Sequence, residues 1–428
     1  MFALLIYRVL LFLLLPIVLL ILLFRSISNP QYRHRLGERL GFIPKSYKKN
    51  GIIVHAASVG EVIALTPLIE QLLQTYPDLP ITLTTFTPTG SAQVTKQFST
   101  RVQHCYLPLD IFPCTQLFLT QLKPKLMIFM ETELWPNLVS QCTQKQIKLL
   151  LINGRLSANS MKSYTKISPL ITPALNSFDK ILCQSQDNLT NFLQLGAHPD
   201  RCLVSGNLKF DISINKSILD KQAQLTPLLP QRRQLWLVAS THQGDEEIAL
   251  NAFKQIQSLF PTLLLVLVPR HPERFSSVEK LCLSHGYTLE KRSNDTPVKS
   301  QNIWLLDTLG ELMAAYSLAD IVTMGGSFSH IGGHNPLEPA LFEKPIIVGS
   351  DMSNFTEVLQ QLKQLQGIIQ LPESQTSAEQ SSQLANMVIK LLQDTSNAAL
   401  LGEQAHQVVI NNQGASDLTL SQVQELMP

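Results

Sequence analysis

From Phe2 to Phe24 the chain is an almost unbroken run of Leu, Ile, Val and Phe, about the length that crosses a bilayer. Arg8 interrupts the run and Pro16 offers a kink. Beyond it the pattern changes to short apolar stretches separated by segments of helical spacing. Ile52–Ala56, Ile81–Thr85, Leu126–Phe129, Leu149–Ile152, Lys180–Cys183 and Cys202–Ser205 read as strands, and Val62–Thr75 shows the apolar spacing of a helix between two of them. Such alternation predicts a parallel sheet. It lapses over Ile212–Arg233, where Leu-Thr-Pro-Leu-Leu-Pro precedes the paired arginines Arg232 and Arg233. It resumes at Leu235–Ala239, Leu263–Val268, Ile303–Leu306, Ile321–Met324 and Pro345–Val348. The fold class is therefore α/β, with two doubly wound domains in tandem and a cleft expected between their strand carboxyl ends. The expected boundaries are an anchor at 1–24, a basic juxtamembrane segment at 25–50, a first domain at 51–211, a linker at 212–233, a second domain at 234–404 and a C-terminal helix at 405–428. That last helix, broken near Gly414, is expected to pack back on the first domain, and Ser- and Gln-rich Pro372–Leu384 is expected to be a surface loop.

The 428 residues suit two domains of ordinary size, each able to hold a full core. Net charge is +2 and only 15% of residues are charged, so no global field attracts a nucleic-acid polymer and electrostatic specificity must be local. The six cysteines are scattered without a C-x-x-C pair, which reads as reduced thiols and not as disulfides or zinc ligands. No small-residue cleavage site follows the apolar run. Arg25, Arg33, Arg35, Arg39, Lys45, Lys48 and Lys49 come instead, the pattern of an uncleaved anchor whose downstream side stays cytoplasmic. The same basic cluster could serve as a topology signal alone, or contact anionic headgroups or a phosphorylated lipid substrate.

Candidate chemistry falls at the expected strand ends. Gly325–Ala340, GGSFSHIGGHNPLEPA, reads as a strand end, a glycine-rich loop and a helix start. Glycines 325, 326, 332 and 333 would let the backbone approach a ligand, Asn335 would cap a helix opening at Pro336, and amides there would attract a phosphate. An N-x-x-E capping box of Asn335 and Glu338 accounts for part of the pattern without a ligand. HAASVGE delivers Glu61 to a helix entrance, where it could take a proton from an acceptor hydroxyl or simply complement the helix dipole. METELWPN offers Glu131 and Glu133, which point oppositely if the chain stays extended; either could also be a paired structural carboxylate. Lys209 in SGNLKFD is a possible counter-charge, or a solvated surface lysine. ASTHQGDEE and VPRHPERF present Ser240, Thr241, Arg270 and His271 toward the glycine-rich loop, with Arg270 a plausible fork for a phosphate. The chain lacks G-x-G-x-x-G, G-x-x-x-x-G-K-[ST] and Asp-x-Asp, which lowers the weight of dinucleotide binding, P-loop hydrolysis and metal-dependent sugar transfer.

Seven motifs in order, HAASVGEV, METELWPN, NGRLS, GNLKFD, VPRHPERF, DTLGEL and GGHNPLEPA, resemble those of the 3-deoxy-D-manno-octulosonic acid (Kdo) transferases of Gram-negative bacteria. The resemblance runs from the anchor almost to the C-terminus. It implies a GT-B glycosyltransferase with two Rossmann-like domains, acceptor-binding then donor-binding, that moves Kdo from CMP-Kdo to the tetra-acylated lipid A precursor at the inner membrane. By that resemblance Glu61 is the general base, Glu131 and Lys209 assist the transition state, and Pro269, Arg270, Gly310, Glu311, Leu312, Asn335, Pro336, Leu337 and Glu338 bind CMP-Kdo. No cofactor and no metal are implied. In physical terms CMP is a good leaving group whose charge Arg270 and helix-start amides would meet, Glu338 would accept ribose hydroxyls, and Glu61 would activate the acceptor for inversion by single displacement. Two other readings use the same features: a GT-B enzyme with a UDP-sugar donor and another lipid acceptor, and a non-catalytic nucleotide-sugar-binding protein.

Overall fold

The computed structural model describes residues 2–230 and 233–427. The chain divides into one unit of Met1–Asp211 with Asn412–Pro428, and a second of Ile212–Asn411.

The first unit holds seven parallel strands: β1 Ile52–His55, β2 Ile81–Thr85, β3 Gln103–Tyr106, β4 Leu126–Met130, β5 Lys148–Gly154, β6 Lys180–Cys183 and β7 Cys202–Val204. Their order is β3-β2-β1-β4-β5-β6-β7, with Ile52 in register with Ile81 on one side and Leu126 on the other. The order reverses between β1 and β4, so the connections leaving these two strands go to opposite faces and open a crevice at their carboxyl ends. Helices cover both faces, burying Val62, Leu68 and Leu72 on one and Phe118, Leu138 and Phe178 on the other. Unpaired edges are confined to short strands.

The second unit repeats the plan with β8 Leu235–Thr241, β9 Leu264–Pro269, β10 Leu289–Lys291, β11 Ile303–Leu305, β12 Ile321–Met324, β13 Ile346–Val348 and β14 Ile369–Gln370, again all parallel. The order β10-β11-β9-β8-β12-β13-β14 puts its switch point between β8 and β12.

Several expected elements differ. β3, β10 and β14 were not anticipated: all three are edge strands, short and partly polar, so they carry no continuous apolar run. Val62–Thr75 is two helices, Val59–Ala64 and Thr66–Thr75, because Pro67 cannot donate to the preceding turn. The expected loop Pro372–Leu384 enters the helix Ser377–Gln393, capped by Thr376; Leu384, Val388 and Leu391 bury against the core, a stripe hidden within a Ser/Gln-rich composition. The expected linker 212–233 belongs to the second unit. Its helix Lys216–Leu225 packs on the helix Leu312–Leu318, and Arg233 donates to the carbonyls of Thr262 and Gln301 at 2.7 Å each; Arg232 lies outside the described residues. The boundary expected at 405 falls inside the helix Thr395–Asn412. The helix that packs on the first unit is Ala415–Leu426, after Gly414 turns the chain at φ +107°, and it lies against Thr66–Thr75.

The N-terminal helix runs from Phe2 to Ser28 and is long and apolar enough to cross a membrane. Part of the basic segment after it is built into the first unit, while Arg25, Arg33, Lys45, Lys48 and Lys49 stay exposed. Arg39 is 1% exposed, donates to the Phe86 carbonyl at 2.8 Å and stacks over Tyr106, while Arg35 pairs with Glu38 at 2.8 Å. Arg39 is therefore structural, whereas Arg35 keeps an exposed side chain.

Candidate active site

In the first unit the groups gather at the switch point. Ser58 caps the helix Val59–Ala64, and Glu61 at its third position reaches back: Ala57 N–H donates to Oε2 at 2.8 Å and Ser58 Oγ to Oε1 at 2.7 Å. The helix-start arrangement is therefore present, and with it something a cap does not need. Glu61 is 8% exposed, and burial holds its carboxyl above the ordinary range; repulsion from Glu131 and Glu133 adds to this, against the opposing pull of Ser58 and Ala57. Glu131 leaves β4 with φ +60°, a left-handed conformation costly for a side chain with a Cβ, while its N–H donates to the Ile152 carbonyl. The chain is therefore not extended at this point, and the charges of both Glu131 and Glu133 act on Glu61. Glu133 accepts from Trp135 Nε1 at 2.9 Å and lies 3.8 Å from Nε2 of the fully buried His55. Trp135 packs on His55 and Phe86.

Lys209 sits in a turn after β7 that is fastened toward the sheet centre. Asn153, 1% exposed at the end of β5 and itself left-handed at φ +53°, accepts Leu208 N–H through Oδ1 at 3.0 Å, and Gln184 donates to the Asn153 carbonyl. The Lys209 side chain is half-buried and makes no ion pair with a described residue.

In the second unit β8 ends in a bulge, with Ser240 at φ +54° and the register shifting between Ala239 and Thr241. Asp245, 2% exposed, then joins the two sides of the switch point by accepting the N–H of His242 at 2.8 Å and of Gly326 at 2.7 Å; burial pushes its carboxyl up to about 6. Thr241 is committed elsewhere: its hydroxyl donates to Glu246 at 2.6 Å, and Arg274 grips both oxygens of that fully buried carboxylate at 2.6 and 3.0 Å. Arg270, just beyond Pro269 at the end of β9, is exposed and makes no ion pair with a described residue. Its charge acts on Glu338, His334 and His242. His334 stacks on His242 with Nε2 atoms 2.9 Å apart, and His271 meets His242 edge-on. Burial and neighbouring cations hold His334 down at about 4, so its ring is neutral at pH 7, and burial together with the neighbouring His271 and arginines lowers His242 as well. Glu338, only partly exposed, is pushed up to about 7 by burial against the pull of Arg270 and Asn335.

The glycine-rich loop also has internal reasons for its glycines. A Cβ on Gly325 would fall 2.7 Å from the Ser240 carbonyl oxygen, and Gly326, Gly332 and Gly333 have φ of +72°, +93° and +72°. The protein's own packing and left-handed backbone demand these glycines, independently of a ligand. The helix expected from Pro336 is a single turn, Leu337–Ala340, with Asn335 Oδ1 accepting Leu337 N–H at 3.2 Å; it carries no long dipole. Pro336 and Leu337 are buried. At β11, the Glu311 carboxylate is taken by Arg292 at 3.0 Å and by Thr308, leaving Gly310, at φ +83°, and the backbone up to Leu312 as the parts that could meet a ligand. Sequence reasoning missed Asp245, His242, His55 and Trp135 as site residues. The acidic first turn after β8, Asp245 to Glu247, was the available signal for the first. Among the described residues no group of three or more His, Cys, Asp or Glu is arranged to hold a metal ion.

The 3-deoxy-D-manno-octulosonic-acid transferase (kdotransferase) family model matches residues 34–212. A 3-deoxy-D-manno-octulosonic acid transferase of Haemophilus influenzae is 40% identical over 94% of this chain and 93% of its own length. The chain belongs to the Kdo transferase family. The Kdo transferase of Rickettsia bellii, 32% identical, aligns over 99% of both chains, so the N-terminal helix and both units fall within the shared length. A UDP-GlcNAc 2-epimerase of Neisseria meningitidis shares the fold, with a TM-score of 0.58 over 89% of this chain and all of its own, at 13% identity. As a Kdo transferase the chain is a glycosyltransferase of lipopolysaccharide synthesis with a GT-B architecture and CMP-Kdo as donor.

Proposed function

We propose that this Kdo transferase delivers Kdo from CMP-Kdo to the tetra-acylated lipid A precursor by inverting single displacement, with Glu61 as general base. The observation that carries the mechanism is the environment of Glu61: a buried carboxylate held in place by Ala57 and Ser58 while two further carboxylates raise its proton affinity. A group that only caps a helix gains nothing from such repulsion; a base that must take a proton from a sugar hydroxyl does. Glu131 and Lys209 assist the developing charge from the neighbouring strand ends, and the acceptor is taken up by the first unit.

The donor is held by the second unit. Arg270, exposed and unengaged, meets the phosphate of CMP, so the leaving group departs with its charge balanced and needs no proton. Glu338 accepts from ribose hydroxyls, Asn335 steadies it, and Pro269, Gly310, Glu311, Leu312, Pro336 and Leu337 shape the pocket through backbone and packing. The N-terminal helix fastens the enzyme to the inner membrane with both units on the cytoplasmic side. A mass-spectrometric assay of detergent-solubilised protein with CMP-Kdo and the tetra-acylated precursor tests the reading directly. Added Kdo, retained in the presence of a chelator and competed by CMP over UDP, is the expected result; a folded, CMP-binding preparation that adds no Kdo would overturn the acceptor assignment.

A further inference from the structure

The N-terminal helix has an apolar composition all round, yet its surroundings are two-sided. Fourteen large apolar side chains between Phe2 and Ile27 are exposed. One stripe is not. Leu4, Tyr7, Arg8, Leu11, Leu15, Val18 and Leu22 recur every three or four residues, the spacing of a single helix face, and that face lies along the first unit. Leu4 lines a groove with Pro136, Leu170 and Pro173; Leu11, Leu15 and Val18 pack against Leu109, Ile111 and Cys114; Leu22 is 7% exposed.

Polar bonds fix this seating. Tyr7 Oη donates to Asp110 Oδ2 at 2.9 Å, and Arg8 Nε donates to Asn137 Oδ1 at 2.7 Å while its guanidinium covers the Phe112 ring. Asp110 is 4% exposed and also caps the helix Pro136–Gln144 by accepting Asn137 and Leu138 N–H at 2.9 and 2.8 Å. Arg8 is therefore no flaw in a hydrophobic span but an attachment point. From Leu4 to Leu22 the contact extends about 27 Å along the helix axis, nearly the thickness of a bilayer's hydrocarbon core. A helix standing across the membrane with these contacts intact would drag the flank of the first unit, Asp110 and Asn137 included, into hydrocarbon. A helix standing across it without them would leave Arg8 unpaired in the apolar layer.

We propose that the helix Phe2–Ser28 lies in the plane of the membrane interface as a fixed part of the first unit, and that it brings the carboxylate cluster to the lipid surface. Its exposed face, not its length, makes the membrane contact. The partner is the lipid surface itself, matched by the exposed apolar face and by the exposed Arg25 in the helix's last turns and Arg33 just beyond it. The route from helix to chemistry is short. Phe86 belongs to the cluster under Leu11, Leu15 and Val18, its ring stands 5.8 Å from Trp135, and Trp135 holds Glu133, whose charge acts on Glu61. An acceptor anchored by acyl chains would then meet the base without leaving the bilayer.

This inference rests on the membrane-anchor reading of the helix, and the test separates the two. The full chain is expressed with one epitope tag on a flexible linker before Met1 and a different tag after Pro428, and protease is added to sealed membrane vesicles of each orientation. Both tags are expected to be digested from the same face, and neither from the other. A membrane-bound chain whose tags are digested from opposite faces would overturn the in-plane placement alone. A chain released into the supernatant by a high-salt wash would overturn the anchor reading, and the inference with it.

Discussion

Replacing Glu61 by Gln asks whether this carboxylate does chemistry or only begins a helix. Gln is nearly isosteric. Its amide oxygen can still accept Ala57 N–H, and its amide nitrogen can donate to Ser58 Oγ, so both contacts of 2.8 and 2.7 Å have a neutral counterpart. With hydrogen bonds contributing about 1 kcal/mol each, the helix start should lose at most about 1 kcal/mol. The sign of the proton linkage points the other way at neutral pH. A carboxyl whose folded pKa is raised contributes stability while protonated and loses it as pH rises through the folded pKa, so at neutral pH the ionised group opposes folding and Gln removes that opposition. The variant is expected to melt no lower than the parent at pH 7 and to lose that relative advantage in acid. Its turnover should fall by about 10²- to 10⁴-fold, or roughly 3–5 kcal/mol of barrier, the usual contribution of a positioned base. Kdo addition followed by mass spectrometry under single-turnover conditions measures this. A second readout is the acid limb of kcat/KM: it should lie above the pH of an ordinary carboxylate, and move down when Glu131 or Glu133 becomes Gln, because each removes a repelling charge. Turnover within about threefold of the parent, from a variant of unchanged melting temperature, would refute the base assignment.

Arg270→Ala is expected to leave the melting temperature unchanged, since the side chain is exposed and unpaired, and to weaken CMP binding by about 10- to 100-fold, the loss of a charge-assisted pair; titration calorimetry reads it. Glu246→Ala strands Arg274 and the Thr241 hydroxyl in a buried site, at a cost of about 3–5 kcal/mol, and calorimetric melting should fall by roughly 10 °C. Glu338, held at about 7, ionises as pH rises through neutrality, so CMP affinity should improve from pH 6 to 8 in the parent more than in Glu338→Gln, whose own slope reports the nucleotide phosphate alone. Asn153→Ala leaves Leu208 N–H unpaired in the interior; if that bond positions Lys209, kcat falls in this variant as in Lys209→Ala, while CMP affinity stays the same in both.

The sequence made the parallel sheets legible because central strands are buried on both faces and write continuous apolar runs: Leu126–Met130 and Leu264–Pro269 are fully buried throughout. It hid what depends on partial burial. Gln103–Tyr106 and Leu289–Lys291 pair on one side only, and Ser377–Gln393 shows its apolar stripe only once the Ser and Gln positions are assigned to the solvent face. Site residues divide similarly. Glu61 and Arg270 stand beside strand ends in short motifs, whereas Asp245 acts through a backbone amide 81 positions away, and no local pattern announces that. The glycines of Gly325–Gly333 show the reverse case, a strong local signal to which internal packing against Ser240, Asn354 and Met352 also contributes.

Both units place candidate groups at the point where the strand order reverses: clustered carboxylates in the first, and in the second an arginine and histidines near the buried Asp245. Beside β1 and β4 stand Glu61, Glu131 and Glu133, with His55 fully buried behind Glu133; beside β8, β9 and β12 stand Arg270, His242 and His334. The division follows from what each half of a sugar transfer requires. An acceptor hydroxyl must lose a proton, which clustered carboxylates favour by raising one another's proton affinity. A departing nucleotide must keep a negative charge, which an exposed arginine making no ion pair with a described residue favours. Glu338 feels the charge of Arg270, which pulls its carboxyl down, while burial pushes it up to about 7. On the proposed mechanism, then, burial in the donor half-site sets the pH at which Glu338 becomes a full acceptor for ribose hydroxyls. The acceptor half-site uses the same physics, burial and like-charge repulsion, to make its own carboxylate basic.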